Sequence, residues 1–147
     1  MKITSIHQFA FACSAGSGVT NSLFYVQKLL RELGFESHIF SSSIPPDLSD
    51  VIQPASAISD DPDAILMVHH CLGYDDVDWL FALAMRKIMI YHNITPPELL
   101  PEGSELQQYA LLGREQLHAW QPHFFAAIGD SPLNSSELQA HAYPSVR

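Results

Sequence analysis

Five short apolar runs, separated by segments with helical periodicity, constrain the fold of this chain more than any other feature. The runs span residues 2–11, 35–42, 64–69, 88–91 and 124–128. The run 64–69, "AILMVH", is apolar throughout, which is typical of a strand covered on both faces. Strands that alternate with helices predict an α/β fold, in which a parallel sheet is covered by helices on both sides.

Apolar spacing and capping residues locate the helices between these runs. The first predicted helix carries Leu23, Val26, Leu30 and Leu33 on one face and ends at Gly34. Three further helical faces are predicted, at residues 77–84, at 106–120 and before Ala140. Two capping-box patterns, Ser104 with Gln107 and Asn134 with Glu137, are expected to begin the last two helices.

Length and composition indicate one globular domain. The 147 residues are 47% hydrophobic and 16% charged, which favours a packed core over disorder. A net charge of −9, with only 7 Lys and Arg, disfavours nucleic acid as a partner. Cys13 and Cys71 show no metal-ligand spacing and are expected to be buried thiols in a reducing compartment. We therefore expect a cytoplasmic protein, with attachment to the inner face of the membrane through partners as an alternative.

The loops that follow the predicted strands are expected to share one edge of the sheet. They span residues 12–20, 41–46, 69–75, 92–103 and 129–134, while residues 43–63 are expected to form a long irregular connection. Ligands of open parallel sheets bind beyond the carboxyl ends of the strands. The candidate site residues are therefore sought in these loops.

The first of these loops reads "CSAGSGVTN". Gly16 and Gly18 would let backbone N–H groups approach a phosphate or a sugar at a helix terminus. Asn21 stands where a dinucleotide fingerprint has its third glycine, so the loop is not that motif. A plain strand-to-helix turn without a ligand is the alternative.

Three histidines end predicted strands. His69 and His70 are adjacent, so at most one of them is expected to face a shared ligand. A structural role, with ring nitrogens bonded to loop backbone, is the alternative for both. His92 follows the strand 88–91 and precedes a loop stiffened by Pro96 and Pro97, where it could donate a hydrogen bond or take a proton near neutral pH.

Four stretches together resemble the N-terminal half of a family-4, GT-B-type retaining glycosyltransferase. They read "GSGVTN", "ILMVHH", "IYHNITPPELL" and "IGDSPLNSSEL", and the third and fourth have the order and spacing of that family. The resemblance covers nearly the whole chain. It implies a Rossmann-like three-layer sandwich with a mostly parallel sheet, one half of a GT-B fold spanning residues 1–147.

The resemblance also implies a function and a set of site residues. This domain would bind a glycan or lipid-linked sugar acceptor, as in polysaccharide biosynthesis, without a metal or other cofactor. The nucleotide-sugar donor would be held mainly by a second Rossmann-like domain carrying a Glu-x7-Glu pair. His92 matches the residue beside the transferred sugar and is predicted to be catalytic. The predicted substrate-binding residues are Gly16, Ser17, Gly18, Val19, His69, His70, Asn93 and Thr95. Ser131 and Asn134 match a motif expected to be structural.

The sequence ends at Arg147, before any donor domain, so we expect a fragment with little transferase activity alone. A stand-alone flavodoxin-like binding or regulatory module is the main alternative. A small hydrolase that uses His69, His70 or His92 as its base is a third, although no credible nucleophile accompanies these histidines.

Overall fold

The computed structural model describes residues 2–147 and has an α/β architecture with a six-stranded parallel sheet flanked by helices. The strands are β1 (Ile6–Ala12), β2 (Ile39–Ser43), β3 (Gln53–Pro54), β4 (Ile65–His70), β5 (Arg86–Tyr91) and β6 (Ala126–Gly129). The helices are α1 (Gly18–Glu32), α2 (Asp78–Ala82), α3 (Glu105–Ala119) and α4 (Pro132–Ala140). The predicted Rossmann-like α/β sandwich is confirmed.

The strand order is β3-β2-β1-β4-β5-β6, and the pairings of β1 with β2 and β4, of β2 with β3, and of β5 with β6 are parallel. This is the order of a dinucleotide-binding Rossmann sheet. Without the two-residue β3, the remaining five strands have the flavodoxin-like order. The order reverses between β1 and β4, which is the position where such sheets bind ligands.

The connection 43–63 contains structure that the sequence did not predict. It holds two short 3-10 helices, Pro46–Leu48 and Ala55–Ala57, and β3 between them. β3 includes a proline, which removes a ladder donor and is tolerated at the edge of a sheet. Because β3 is only two residues long and consists of Gln and Pro, no apolar run in the sequence marks it as a strand.

Helix starts follow serine caps. Ser104 caps α3 as predicted, because its side chain accepts the Gln107 N–H. The Gln107 side chain reaches the Gly103 N–H rather than that of Ser104, so the capping box is displaced by one residue. The predicted Asn134 cap of α4 is wrong: Ser131 caps that helix, and Asn134 lies inside it.

The predicted helical faces are wrong at several exposed positions, among them Ala84, which lies beyond the end of α2. Leu33 is 73% exposed because it is the residue after the last turn of α1, where the helical face no longer faces the sheet. Leu106 is 51% exposed in the first turn of α3. Gly34 has φ +93°, and this left-handed conformation ends α1 as predicted.

The structure divides into two compact units. The first comprises the chain up to His69 together with Leu83–Lys87, and the second comprises His70–Ala82 and Ile88–Arg147. One core cluster of the first unit consists of Ala10, Cys13, Leu23, Ile39 and Ile52. Cys13 is therefore buried as predicted, whereas Cys71 is partly exposed.

No helix among residues 2–147 is long and apolar enough to cross a membrane.

Candidate functional site

The loop between β1 and α1, in the first unit, is held by short-range hydrogen bonds. The Ser17 hydroxyl accepts the Thr20 N–H at 3.1 Å, and the Thr20 hydroxyl accepts the Ser14 N–H at 3.1 Å. Gly16 has φ +79°, which only glycine adopts without strain. Gly18 does not have a positive φ, and a Cβ built on either glycine meets no atom within 4 Å. The predicted binding loop therefore borders open space at both glycines.

We expect Gly18→Val to block binding of the ligand implied by the resemblance while preserving the fold. The valine side chain would occupy the open space that a closely approaching phosphate or sugar needs. The free energy of unfolding should stay within about 0.5 kcal/mol of wild type, as measured by urea denaturation. Gly16→Ala is the contrasting variant, which should cost about 1 kcal/mol through its positive φ. Unchanged donor and acceptor KM values in Gly18→Val would remove this loop from the site.

His69 is buried in the first unit and belongs to a hydrogen-bond chain that links β4, β1 and α1. Its ring Nε2 lies 2.9 Å from Gln8 Oε1 on β1, and Gln8 Nε2 donates to the Leu23 carbonyl of α1 at 2.9 Å. Because the amide nitrogen of Gln8 is committed as the donor, its oxygen accepts the hydrogen from His69 Nε2. The ring is 1% exposed, and its contact with a substrate stays a prediction.

His70, in the second unit, is fully buried and contacts a different partner. Its Nε2 donates to the Gly113 carbonyl of α3 at 2.9 Å, and its ring centroid lies 4.6 Å from that of Trp120. Its Nδ1 is buried without a hydrogen-bond partner. Burial lowers the pKa of His70 to about 4, with a smaller contribution from His92. His70 is thus a neutral ring bonded to the protein backbone, and its contact with a substrate also stays a prediction.

The low pKa of His70 predicts acid sensitivity. The unfolded chain binds this proton near pH 6.5, whereas the folded protein binds it only near pH 4. The unfolded state therefore binds more protons between these values, and stability falls by about 3 kcal/mol as the pH is lowered through this window. His70→Gln keeps a donor for the Gly113 carbonyl and should lose this part of the pH dependence. Identical pH dependence of the unfolding free energy in both proteins would contradict the assignment.

His92, also in the second unit, is held from two directions. Its backbone N–H donates to the His70 carbonyl at 3.0 Å, and its ring Nδ1 lies 3.0 Å from Asp130 Oδ2. The side chain is only 11% exposed. Burial lowers the pKa of His92, and the Asp130 carboxylate opposes that shift. A neutral ring that donates from Nδ1 to Asp130 has its lone pair on Nε2, as a general base or a hydrogen-bond acceptor requires.

Asp130 is the site residue that sequence reasoning missed. It directly follows β6, and its backbone N–H donates to the Tyr91 carbonyl at 3.2 Å. Its Oδ1 accepts a hydrogen bond from the Asn134 amide, and Asn134 is buried on α4. The β5–β6 register pairs Tyr91 with Gly129, so the next residue of each strand is His92 and Asp130. That pairing becomes visible in the sequence only after the two strands are known to be neighbours.

The loop that follows His92 is anchored at its apolar residues. Ile94 is buried, and its carbonyl accepts from Arg114 Nη2 at 2.6 Å. The Gln107 side chain donates to the Pro97 carbonyl at 3.0 Å. The predicted substrate-binding residues Asn93 and Thr95, on either side of Ile94, are exposed. The loop thus presents two polar side chains to solvent from a fixed backbone.

A partly buried polar network supports this anchor. Glu137, predicted as part of a capping box, instead accepts the Tyr91 hydroxyl at 2.6 Å and lies 3.7 Å from Arg114 Nη1. Burial, together with Glu137, raises the pKa of Tyr91, so its hydroxyl stays a donor. Arg114 therefore joins α4 to the loop 92–97.

The structure assembles the predicted residues in two groups. The first unit holds the loop Gly16–Val19 and His69, whereas the second holds His70, His92, Asn93 and Thr95. Among residues 2–147, no three His, Cys, Asp or Glu side chains lie close enough together to hold a metal ion. The arrangement with the clearest chemistry is His92 with Asp130 and Asn134.

Neither a comparison with protein-family models nor a search of curated proteins finds a match to this chain.

Proposed function

We propose that this chain is the acceptor-binding domain of a GT-B-type retaining glycosyltransferase. The observation that carries the proposal is the neutral His92 ring, oriented through Nδ1 by Asp130 at the carboxyl edge of a Rossmann-like sheet. Ligands of such sheets bind at this edge. The four sequence stretches that resemble the family supply the reaction class.

On this proposal, His92 acts on the reacting sugar through Nε2. The acceptor hydroxyl attacks the anomeric carbon as the bond from that carbon to the nucleotide diphosphate breaks on the same face, so the configuration is retained. The proton of the acceptor hydroxyl passes to the departing diphosphate oxygen. His92 accepts a hydrogen bond from a sugar hydroxyl beside that carbon. Asp130 fixes the ring tautomer, and Asn134 fixes the Asp130 carboxylate. Orientation of this kind contributes to catalysis because the reacting groups need not be ordered during the reaction.

Exposed apolar side chains in the second unit also support the proposal. Leu99 lies in the loop after β5, Leu133 lies in the first turn of α4, which follows β6, and both are exposed. A domain that forms one wall of an interdomain cleft is expected to present apolar surface in the loops that border the cleft. Asn93 and Thr95 in the same set of loops offer hydrogen bonds to an acceptor.

The test is sugar transfer by the native gene product. The protein is incubated with UDP-, GDP- and ADP-sugars and candidate glycan acceptors, and products are identified by mass and by the NMR coupling at the new anomeric centre. We expect transfer with retained configuration. Transfer with inversion, or the absence of transfer from every donor, would overturn the proposal.

The strand order is also consistent with a second candidate function, that of a stand-alone flavodoxin-like binding module. Only β3 distinguishes the observed order from that arrangement. Such a module would bind a ligand as this chain alone and would catalyse no transfer. Ligand binding by the native protein without transferase activity would favour this candidate.

A further inference from the structure

The second unit contains a pocket between the loop that follows β4 and the first half of α3. One part, of about 210 Å³, is mainly apolar, and an adjoining part, of about 460 Å³, is mainly polar. Asp75 and Tyr109 line both parts and join them into one groove. The apolar part is completed by Leu72, Gly73 and Tyr74, and the polar part by Glu105, Gln108 and Leu112.

The backbone of this pocket is fixed by contacts with α3. The Gly73 N–H donates to the Tyr109 carbonyl at 2.9 Å. The buried Gln116 side chain accepts the Tyr74 N–H at 3.1 Å and donates to the Tyr74 carbonyl at 2.6 Å. Because both polar groups of a buried amide bind one backbone residue, Tyr74 is held in place before any ligand arrives. A preformed pocket of this kind avoids the ordering cost of binding.

The side chains of the pocket are held as well. The Tyr109 hydroxyl donates to Asp75 Oδ2 at 3.0 Å, which orients both the carboxylate and the ring. Asp75 keeps acceptor capacity for further donors, because a carboxylate has about four lone-pair sites. Glu105 and Gln108 lie on α3 at the polar end.

The charge of the pocket limits its ligands. Its described lining residues include two carboxylates, Asp75 and Glu105, and no Lys, Arg or His. An anionic ligand such as a phosphate or a uronic acid would meet these carboxylates without a compensating cation. The site therefore suits a ligand that donates hydrogen bonds and carries no negative charge.

We propose that this pocket binds a neutral, hydroxyl-rich sugar unit. Sugar hydroxyls donate to the carboxylates of Asp75 and Glu105, and hydrogen bonds to charged acceptors are the stronger kind. The C–H face of the sugar ring packs against the aromatic and apolar side chains Tyr74, Tyr109 and Leu72. Assigning the bound unit to the acceptor glycan rests on the proposed function, whereas sugar binding itself does not.

The test is NMR titration of the isotope-labelled chain with neutral methyl hexosides and methyl N-acetylhexosaminides. Amide resonances of residues 72–75 and 105–112 are expected to shift on binding. Methyl glucuronide, the matched anion, should bind about tenfold more weakly or worse because of like-charge repulsion. Choline is included as a cationic probe. The absence of shifts in both segments with every neutral sugar, equal binding of the glucuronide, or tighter binding of choline would each overturn the proposal.

Variants locate the binding. Asp75→Asn and Glu105→Gln keep the side-chain shape at exposed positions and should each raise the dissociation constant about tenfold. Tyr74→Ala should abolish the shifts. Tyr25→Ala is the matched control, because Tyr25 is 65% exposed on α1 in the first unit, and it should bind like wild type. Wild-type affinity in all three pocket variants would move the binding elsewhere.

The two proposals fail separately. Sugar transfer by the native protein without sugar binding in this pocket would overturn the pocket assignment alone. Sugar binding in the pocket without any sugar transfer would overturn the transferase proposal alone.

Discussion

If the proposed function holds, replacing His92 with alanine is expected to lower kcat for sugar transfer by about 10²–10⁴-fold, the range typical of a positioned proton-transfer or polar group. The loss follows from removing Nε2, the nitrogen that the Asp130 contact leaves unprotonated. The unfolding free energy should be measured alongside kcat, since His92 is buried and its loss leaves a cavity. A stable variant with wild-type turnover would remove His92 from the site.

Two further variants separate catalysis from positioning. Asp130→Asn keeps the shape of the carboxylate but offers an amide that can present either oxygen or nitrogen to the ring, so a smaller loss of kcat is expected. His118→Ala removes an exposed histidine of α3 and should leave kcat unchanged. An equal loss in all three variants would indicate a general effect of histidine or acid removal rather than a site.

On the proposed function, the pH dependence of sugar transfer by the wild-type protein gives an independent readout. Burial holds the pKa of His92 below its ordinary value of 6.5, so the ring is neutral at pH 7. If Nε2 must be unprotonated, kcat/KM should decline only below pH 6.5, and Asp130→Asn should move the midpoint lower because the carboxylate stabilises the charged ring. A decline beginning above pH 7 would contradict this assignment.

Gly73→Ala is expected to destabilise the protein by about 3 kcal/mol or more, at or above the upper end of the usual range for overpacked positions. A Cβ built on Gly73 would lie 2.6 Å from the Gly113 backbone nitrogen and 2.7 Å from the Tyr109 carbonyl oxygen. These are backbone atoms of α3 and cannot rotate away. The loop that carries Tyr74 and Asp75 would have to leave the helix.

Gly18→Ala is the matched control for this prediction. A Cβ at Gly18 meets no atom within 4 Å, and the residue lacks a positive φ. Its unfolding free energy should equal that of wild type or rise slightly, because alanine reduces the entropy of the unfolded chain. Both variants are compared by urea denaturation. A loss below about 1 kcal/mol in Gly73→Ala would show that the loop adjusts without strain.

The α/β class and the positions of most strands and helices follow from local patterns. Apolar runs such as 64–69 depend only on neighbouring residues, and Ser104 and Gly34 act through backbone groups within a few positions. The predicted helical faces failed at Leu33 and Leu106, near the ends of helices, where side chains leave the packed surface. The Asn134 cap failed because Ser131, three residues earlier, competes for the same role.

The sequence by itself determined which residues end strands. It therefore determined that His70, the last residue of β4, and His92, which follows β5, lie at the carboxyl edge of a parallel sheet. Only the tertiary structure decided which distant residues they meet. Asp130 lies 38 positions from His92, and Gly113 lies 43 positions from His70. Periodicity and capping act over a few residues, whereas strand order and helix packing join segments far apart in the chain. The His92–Asp130 pair therefore exists only because β5 and β6 are neighbours in register.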